Sequence, residues 1–568
     1  MSKIQPKRAY LKEILERFSG MSANGSQQAS VIGTPINFRV AADGSLEKRN
    51  GWRLMQEFSR PLRGAYTLEI DGITLIITLY GSTFYLYVEG EGGFEVPSEI
   101  PDADTPVQFF MFCNNIYLLD GQDIYMLGQE TFEKAVGYVP LYGLGWHPSS
   151  LGEVCEEPNV LTPKIRINYY NPDHLKVIYL PFYSKKIDCL CVDGQEVTDF
   201  TYGNSSKVLI LSTTGTEIDV AYTYYRNDAY TNALQQSDLV FCDELGNEPT
   251  MFLGGAQTET PLLLVGTNVS EARHSGSLLY YPESTPLYFL QENAIPFGSW
   301  LEPMTELYRN DSNRFLAFTT QHTYAITYNA AEKALNAMLL SDNMGCIPTG
   351  LHASIDGDPL ILNRAGLFRV RLNSQNMLEQ EQIPCPYPEL LATGFAENAI
   401  IWKNLADNEI WLRDATEADG TVLVYNTLKK EWYRFKGIHA QKFFAYGTNV
   451  GVCCQNCLGA FLPDQYSDGG QPIEAEYTTE FLDFGEPETP KRALRLSLTA
   501  ETDGESVDVD LETESRTRNF AFVGKGGTAP DHFDARAAMG RFRHLRVRIR
   551  SNTSNRFRIK RLALFANL

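Results

Sequence analysis

A strand-turn-strand unit returns along this chain at a spacing of about 35–50 residues, the range of propeller blades and other all-β repeats. In its clearest copy, Ile73-Thr-Leu-Ile-Ile-Thr-Leu-Tyr80 meets Thr83-Phe-Tyr-Leu-Tyr-Val88 across Gly81-Ser82. Residues 107–127 repeat it, and it returns at 314–328, 359–372, 398–435 and 442–462. Period-2 alternation bounded by turn residues means half-buried antiparallel strands. The spacing predicts an all-β chain in which 31–163 and 231–468 together build one β-propeller of six or seven blades. A segment of different rhythm at 164–230 predicts a small inserted β-sandwich. Residues 469–568 predict a C-terminal β-domain, and 1–30 a helix followed by a tether. A propeller closes by pairing its first strand with its last blade, so the strand near 36–48 is expected beside 440–462.

Composition narrows the function classes. At 568 residues there is core for several domains. The 30 Tyr and 31 Phe suit β-rich, interface-rich proteins, because flat rings pack well on pleated surfaces. A net charge of −21 argues against a dedicated nucleic-acid binder, which needs a basic face to release counterions. It is compatible with a wall past which DNA slides. No run of 18 apolar residues is present to span a bilayer, and Met1-Ser-Lys-Ile-Gln-Pro-Lys-Arg8 lacks the apolar core of a secretion signal. The ten cysteines are scattered, most in apolar strand contexts, which predicts reduced core thiols and folding in a cytoplasm.

Motifs for catalysis are missing, and no cofactor or metal is expected. His-Glu-x-x-His, Gly-x-Ser-x-Gly and the phosphate-binding glycine loop are all absent. Cys454-Gln-Asn-Cys457 and Cys189-x-Cys191 lack the two further ligands of a structural zinc site. Propellers also host glycosidases, which need two carboxylates about 5–9.5 Å apart. Asp356-Gly-Asp358 and Asp102-Ala-Asp104 supply candidates, although Asp beside Gly or Pro is ordinary turn chemistry. A sialidase Asp-box opens at Ser354-Ile-Asp356 and is broken at Asp358.

Two segments suggest assembly. Tyr10, Leu11, Ile14, Leu15 and Phe18 fall on one stripe of a helix over 7–19, with Lys12, Glu13, Glu16 and Arg17 opposite and Gly20 as a stop. A helix of about 12 residues is marginal alone, so it needs its own propeller or a neighbouring subunit to lie on. The small polar stretch 19–30 reads as the tether of a docking arm. Near the other end, Arg546, Arg548 and Arg550 alternate with Leu545, Val547 and Ile549, and Arg556, Arg558 and Lys560 follow. Asp508, Asp510 and Glu512 alternate likewise with Val507, Val509 and Leu511. Cross-strand ion pairing, within or between subunits, is the preferred reading over a DNA patch. Residues 137–163, dense in Gly and Pro, predict a long ordered loop.

Three stretches carry a family resemblance. Phe18-Ser-Gly-Met21 is followed by Asn37-Phe-Arg-Val40 and by Asp43-Gly-Ser-Leu-Glu-Lys-Arg-Asn-Gly-Trp52. Gly137-Tyr-Val-Pro-Leu141 leads to Glu157-Pro-Asn-Val-Leu-Thr-Pro163, and Phe252-Leu-Gly-Gly255 precedes Ser277–Phe289. In this order they resemble bacteriophage virion proteins of the tail-nozzle, tail tubular and packaged-DNA-stabilisation type. Trp146-His-Pro-Ser-Ser150 departs from the family pattern, which has a basic residue and a glycine run there. The resemblance implies a non-enzymatic virion protein, assembled in the host cytoplasm. It further implies a homo-oligomeric ring, usually of six copies, below the portal and adaptor and in contact with distal tail or fibre proteins. Such a ring holds packaged double-stranded DNA and passes it at ejection. The rival readings are a carbohydrate-binding or glycoside-cleaving propeller and a propeller hub for protein partners.

Overall fold

A computed structural model describes residues 10–21, 33–225 and 287–567, apart from brief breaks, together with strands at 239–242, 264–269 and 276–282. Residues 1–9, the expected tether beyond residue 21 and the Phe252–Gly255 motif lie outside the described residues.

Among the described residues, seven four-stranded antiparallel meanders form the blades of an all-β propeller. Blade 1 runs through Leu62–Ile70, Ile73–Tyr80, Thr83–Val88 and Gly92–Pro97. Blade 2 spans Gln108–Phe112 to Phe132–Lys134, blade 3 Leu239–Cys242 to Phe289–Phe297 and blade 4 Met304–Arg309 to Ala334–Ser341. Blade 5 spans Ser354–Ile355 to Leu378–Ile383, and blade 6 Ala399–Asn404 to Glu431–Phe435. Blade 7 takes three strands from Lys442–Phe461 and its fourth, Trp52–Glu57, from near the start of the chain. The closing strand is thus 52–57, not 36–48. Phe461 sits opposite Trp52 in that ladder. The chain divides into two compact units, Met1–Glu95 with Leu351–Leu568, and Val96–Gly350.

The strands expected to close the ring serve the C-terminal domain instead. Gly33–Ile36 lies between blade 6 and the strand Gln471–Thr479, joining them in one ten-stranded sheet that continues through Leu545–Thr553, Ser506–Thr513 and Thr517–Val523. Phe38–Val40 and Leu46–Lys48 extend a second sheet built on Arg558–Asn567, Arg492–Glu501 and Asp531–Ala535. Residues alternating inward from both sheets, among them Phe38, Leu46, Val509, Val547, Ile559 and Leu562, share one core with Trp411 and Phe435 of blade 6.

The N-terminal helix is replaced by a strand. Tyr10–Leu15 pairs antiparallel with Arg558–Asn567, with Leu11 opposite Ala566 and Leu15 opposite Leu562. Positions i and i+4 share a face in a strand as well as in a helix. In a strand, however, i+2 shares that face too, so Glu13 stands with Leu11 and Leu15 and the apolar stripe is a helical pattern; the ladder along an existing sheet edge nonetheless outweighs a marginal helix. Leu15 is 1 % exposed, and Phe18 meets Tyr477 edge-on at 5.3 Å. Leu11 packs on the margin of the core and Ile14 is half-buried. Leu11, Leu15 and Phe18 of the expected docking stripe are thus engaged within their own chain.

The insert is a single seven-stranded sheet bent on itself. Val177–Val192 pairs by its first residues with Ser206–Leu211 and by its later ones with Glu217–Tyr224, changing partner at Ser184. Asp193-Gly194 makes the tight turn that follows, both at positive φ (49° and 77°). The stretch read as a loop contributes a strand, Leu141–Trp146, parallel to Lys164–Tyr170. Its glycines have a definite use. A Cβ on Gly143 or Gly152 would stand 2.5 or 2.4 Å from the Trp146 indole, which is buried and donates from Nε1 to the Glu153 carbonyl at 2.8 Å.

Tyr169 and Tyr222 lie in the insert's core. Tyr169 donates its hydroxyl to the Tyr179 carbonyl at 2.9 Å, and the Tyr222 oxygen accepts from the Phe182 N–H at 3.2 Å. Burial holds both phenols well above their ordinary value near 10. An unfolded tyrosine therefore ionises first, so the stability these groups contribute is present below pH 10 and is lost as pH rises past it. Denaturant unfolding followed by circular dichroism should show stability falling above that pH. Each phenol steepens the fall by up to about 1.4 kcal/mol per pH unit, and Tyr169→Phe should flatten the slope.

Candidate functional site

The segment that carries the first family resemblance builds a buried polar node. Arg49 is 1 % exposed and uses its whole donor fork. Its Nε donates to Asn37 Oδ1 at 2.9 Å, and its terminal nitrogens reach both oxygens of Asp468 at 2.9 and 2.5 Å. They also reach the carbonyls of Lys436 at 3.0 Å and Asn50 at 3.1 Å. Asn37 holds the node from the other side at φ 58°, a backbone region that Asn tolerates better than most residues. Its amide nitrogen donates to the Glu474 carbonyl at 2.7 Å, and its Oδ1 accepts a second bond from the Lys436 N–H at 2.7 Å. Gly51 is required beside it, because a Cβ there would stand 2.1 Å from the Ser467 carbonyl oxygen.

Two further cations of the same segment are absorbed in the same way. Arg39 forks onto Glu409 at 2.7 and 2.8 Å and reaches Asp407 at 2.9 Å, while Trp411 Nε1 donates to Glu409 at 2.9 Å. Buried Lys48 donates to the Thr553 carbonyl at 2.7 Å. Burial, reinforced by the adjacent Arg49 charge, pushes Lys48 down to about 8. Sequence reasoning missed this node, since Lys48-Arg49-Asn50-Gly51 reads as a solvated turn. The second resembling stretch behaves alike. Asn159 donates to the carbonyls of Tyr138 and Leu287 and accepts from the N–H groups of Leu161 and Phe289, all within 2.8–3.1 Å.

The alternating charged strands lie side by side. Asp508, Asp510 and Glu512 stand opposite Arg550, Arg548 and Arg546 in the ladder. Arg546 contacts Glu512 at 2.6 Å and Arg550 contacts Asp510 at 2.8 Å. Arg548 turns to Glu476 on the adjacent strand at 3.5 Å. Beyond them Arg556 meets Glu47 at 2.8 Å, Arg558 meets Asp43 at 2.6 Å and Lys560 meets Glu501. Each arginine on this face therefore has a carboxylate of its own chain.

The other candidates are dispersed. Asp356 and Asp358 both hold Arg369, at 3.3 and 2.7 Å, across a strand turn. Among the described residues no cluster of three His, Cys, Asp or Glu is arranged to hold a metal. Cys346 and Cys453 are core thiols, but Cys155 and Cys189 are exposed, which departs from the expectation of buried cysteines. The Cys189 and Cys191 sulfurs are 3.8 Å apart, on one face of their strand.

Neither a family model nor a curated protein sequence matches the chain. Among solved structures, BBS1N in complex with ARL6DN is 12% identical, covers 73% of this chain and 98% of its own, and has a TM-score of 0.35. Virginiamycin B lyase from Staphylococcus aureus is 8% identical, covers 72% and 96%, and has a TM-score of 0.33. YCF48 bound to D1 peptide is 10% identical, covers 73% and 96%, and has a TM-score of 0.32. Likenesses this distant say nothing about what the chain does.

Proposed function

We propose that this chain is a structural protein of a bacteriophage tail, one copy of a six-membered ring that retains packaged double-stranded DNA and conducts it at ejection. Its neighbours would be the adaptor and portal on one side and distal tail or fibre proteins on the other, in the virion. The observation that carries the reading is the Asn37–Trp52 segment. The residues that resemble the tail-nozzle family are the ones that cross-brace blade 6, the strand leaving blade 7 and the C-terminal sheets. The paired arginines add support. With their charge met by Asp510, Glu512 and Glu476, a chain of net charge −21 has few phosphate holds on that face.

The test is direct. Purified protein should show no appreciable binding to double-stranded DNA at moderate salt. Arg548→Glu should cost about 1 kcal/mol of stability, because it places a third carboxylate beside Asp510 and Glu476. Tight DNA binding that weakens steeply with salt and vanishes in Arg548→Glu would assign these strands to the DNA path instead. In particles, electron microscopy should find closed rings of the protein, and its presence only as monomers would defeat the proposal.

A further inference from the structure

The thiol pair of Cys454-Gln-Asn-Cys457 sits where the ring of blades is shut. Two strands of blade 7, Asn449–Cys453 and Cys457–Phe461, form a hairpin in which Cys453 stands opposite Leu458. One rung further the Cys454 N–H donates to the Cys457 carbonyl at 3.0 Å, so the two cysteines face each other across a two-residue turn. Opposed residues of an antiparallel pair show their side chains on one face, with α-carbons about 4.5–5.5 Å apart. That lies inside the span of about 4.4–6.8 Å that a disulfide bridges. Both cysteines are half-buried and the turn residues Gln455 and Asn456 are exposed, within reach of a small solute. The same turn holds the seam of the propeller. The Leu62 N–H donates to the Gln455 carbonyl at 2.8 Å, and the Phe58 N–H donates to the Asn456 carbonyl at 2.7 Å. Phe58 and Leu62 bracket the corner at which the closing strand Trp52–Glu57 passes into the first strand of blade 1.

We propose that Cys454 and Cys457 are a redox-active dithiol whose oxidation to a disulfide locks this turn, and with it the corner where the propeller closes. The hydrogen bond that the Cys454 thiol gives to the Cys457 sulfur holds Cys457 below the ordinary thiol value and Cys454 above it. Cys457 is therefore the attacking group. Its thiolate attacks one sulfur of a small disulfide of the glutathione type, forms a mixed disulfide and expels one thiolate. Cys454 then gives up its proton, and its sulfur attacks that of Cys457 and expels the second. The two cysteines lose two electrons to the small disulfide, and the two thiol protons end on the two expelled thiolates. Arg413 of blade 6 favours the second step. It is 3 % exposed and donates to the carbonyls of Glu417 at 3.2 Å, Ala415 at 3.4 Å and Ala440. Its charge interacts with the Cys454 sulfur, and its Nε has no hydrogen-bond partner among the described residues. A cation lowers the cost of a thiolate beside it. In a reducing compartment the pair stays as thiols, and in an oxidising one it closes. For a tail protein that change comes on release from the host, but the chemistry does not depend on that reading.

Glutathione buffers of rising oxidised fraction, followed by unfolding, alkylation and peptide mapping of the full chain, test it. Cys454 and Cys457 should escape alkylation together, with loss of two hydrogens from their peptide, while the buried Cys346 and Cys453 are still alkylated. Amide exchange at Phe58 and Leu62 should be about tenfold slower in the oxidised protein and should recover on reduction with dithiothreitol. Cys454→Ser keeps a hydroxyl donor beside Cys457 and should stop at the glutathione mixed disulfide. Cys457→Ser should take up no glutathione at Cys454. If a serine variant unfolds, mapping of the parental protein decides alone. Alkylation of both thiols at every glutathione ratio, or glutathione on Cys454 in place of Cys457, would overturn the redox pair. A disulfide that leaves exchange at Phe58 and Leu62 unchanged would overturn the lock.

Discussion

Replacing Arg49 with alanine is expected to destabilise the protein by about 3–5 kcal/mol, the cost of breaking a buried ion pair from one side. The substitution leaves Asp468 facing a hole, and frees the Asn37 oxygen and the Lys436 and Asn50 carbonyls from a shared donor. Arg49→Lys should recover little, because an ammonium cannot reach a carboxylate with two nitrogens while also reaching Asn37. Asp468→Asn should lose less than Arg49→Ala, and the double variant should lose less than the sum of the two. Denaturant unfolding of the four proteins measures the coupling. Losses that simply add would mean that Arg49 and Asp468 do not act as one unit.

Removal of residues 1–21 is expected to unfold or severely loosen the C-terminal sheets, not to yield a folded protein that fails to assemble. The deletion strips the edge strand from Arg558–Asn567 and uncovers the sites of Leu15 and Phe18. Each of those side chains contributes roughly 1.5–3 kcal/mol by burial. It also removes the backbone pair between Met21 and Trp432 and the bond from the Gly20 N–H to Glu431 at 3.1 Å. Hydrogen exchange should report the change first in Arg558–Asn567. A truncated chain with parental exchange in that strand would return the segment to a docking role.

The contrast between these segments explains how much the sequence could tell. Blades were legible because each is local. Ile73–Tyr80 and Thr83–Val88 form a hairpin whose alternation and turn lie within sixteen residues. The N-terminal strand was not legible, because its apolar stripe has the helical period and its partner strand, Arg558–Asn567, is remote in sequence. Alternating charge at 508–512 and 546–550 states which face of a strand is polar, but not that Glu476 stands on the third strand. Arg49 was hidden for the same reason as the N-terminal strand. Its sequence neighbours are turn residues, and its counter-ion is 419 positions away.

That distance has a consequence for biosynthesis. Trp52–Glu57 waits for Cys457–Phe461, and Tyr10–Leu15 waits for Arg558–Asn567. At about 5–20 residues per second the interval from the first segment to its partner is roughly half a minute to two minutes on the ribosome. Throughout it the stretch with Leu15, Phe18 and Trp52 has no sheet to join. Blades can form one after another as the chain emerges, but the last blade is completed only once Cys457–Phe461 has been made, and the C-terminal sheets only once Arg558–Asn567 has. A nascent chain that stalls before residue 558 therefore presents an unpaired apolar strand to chaperones and proteases, which gives the cell a means of discarding incomplete copies before they reach an assembly.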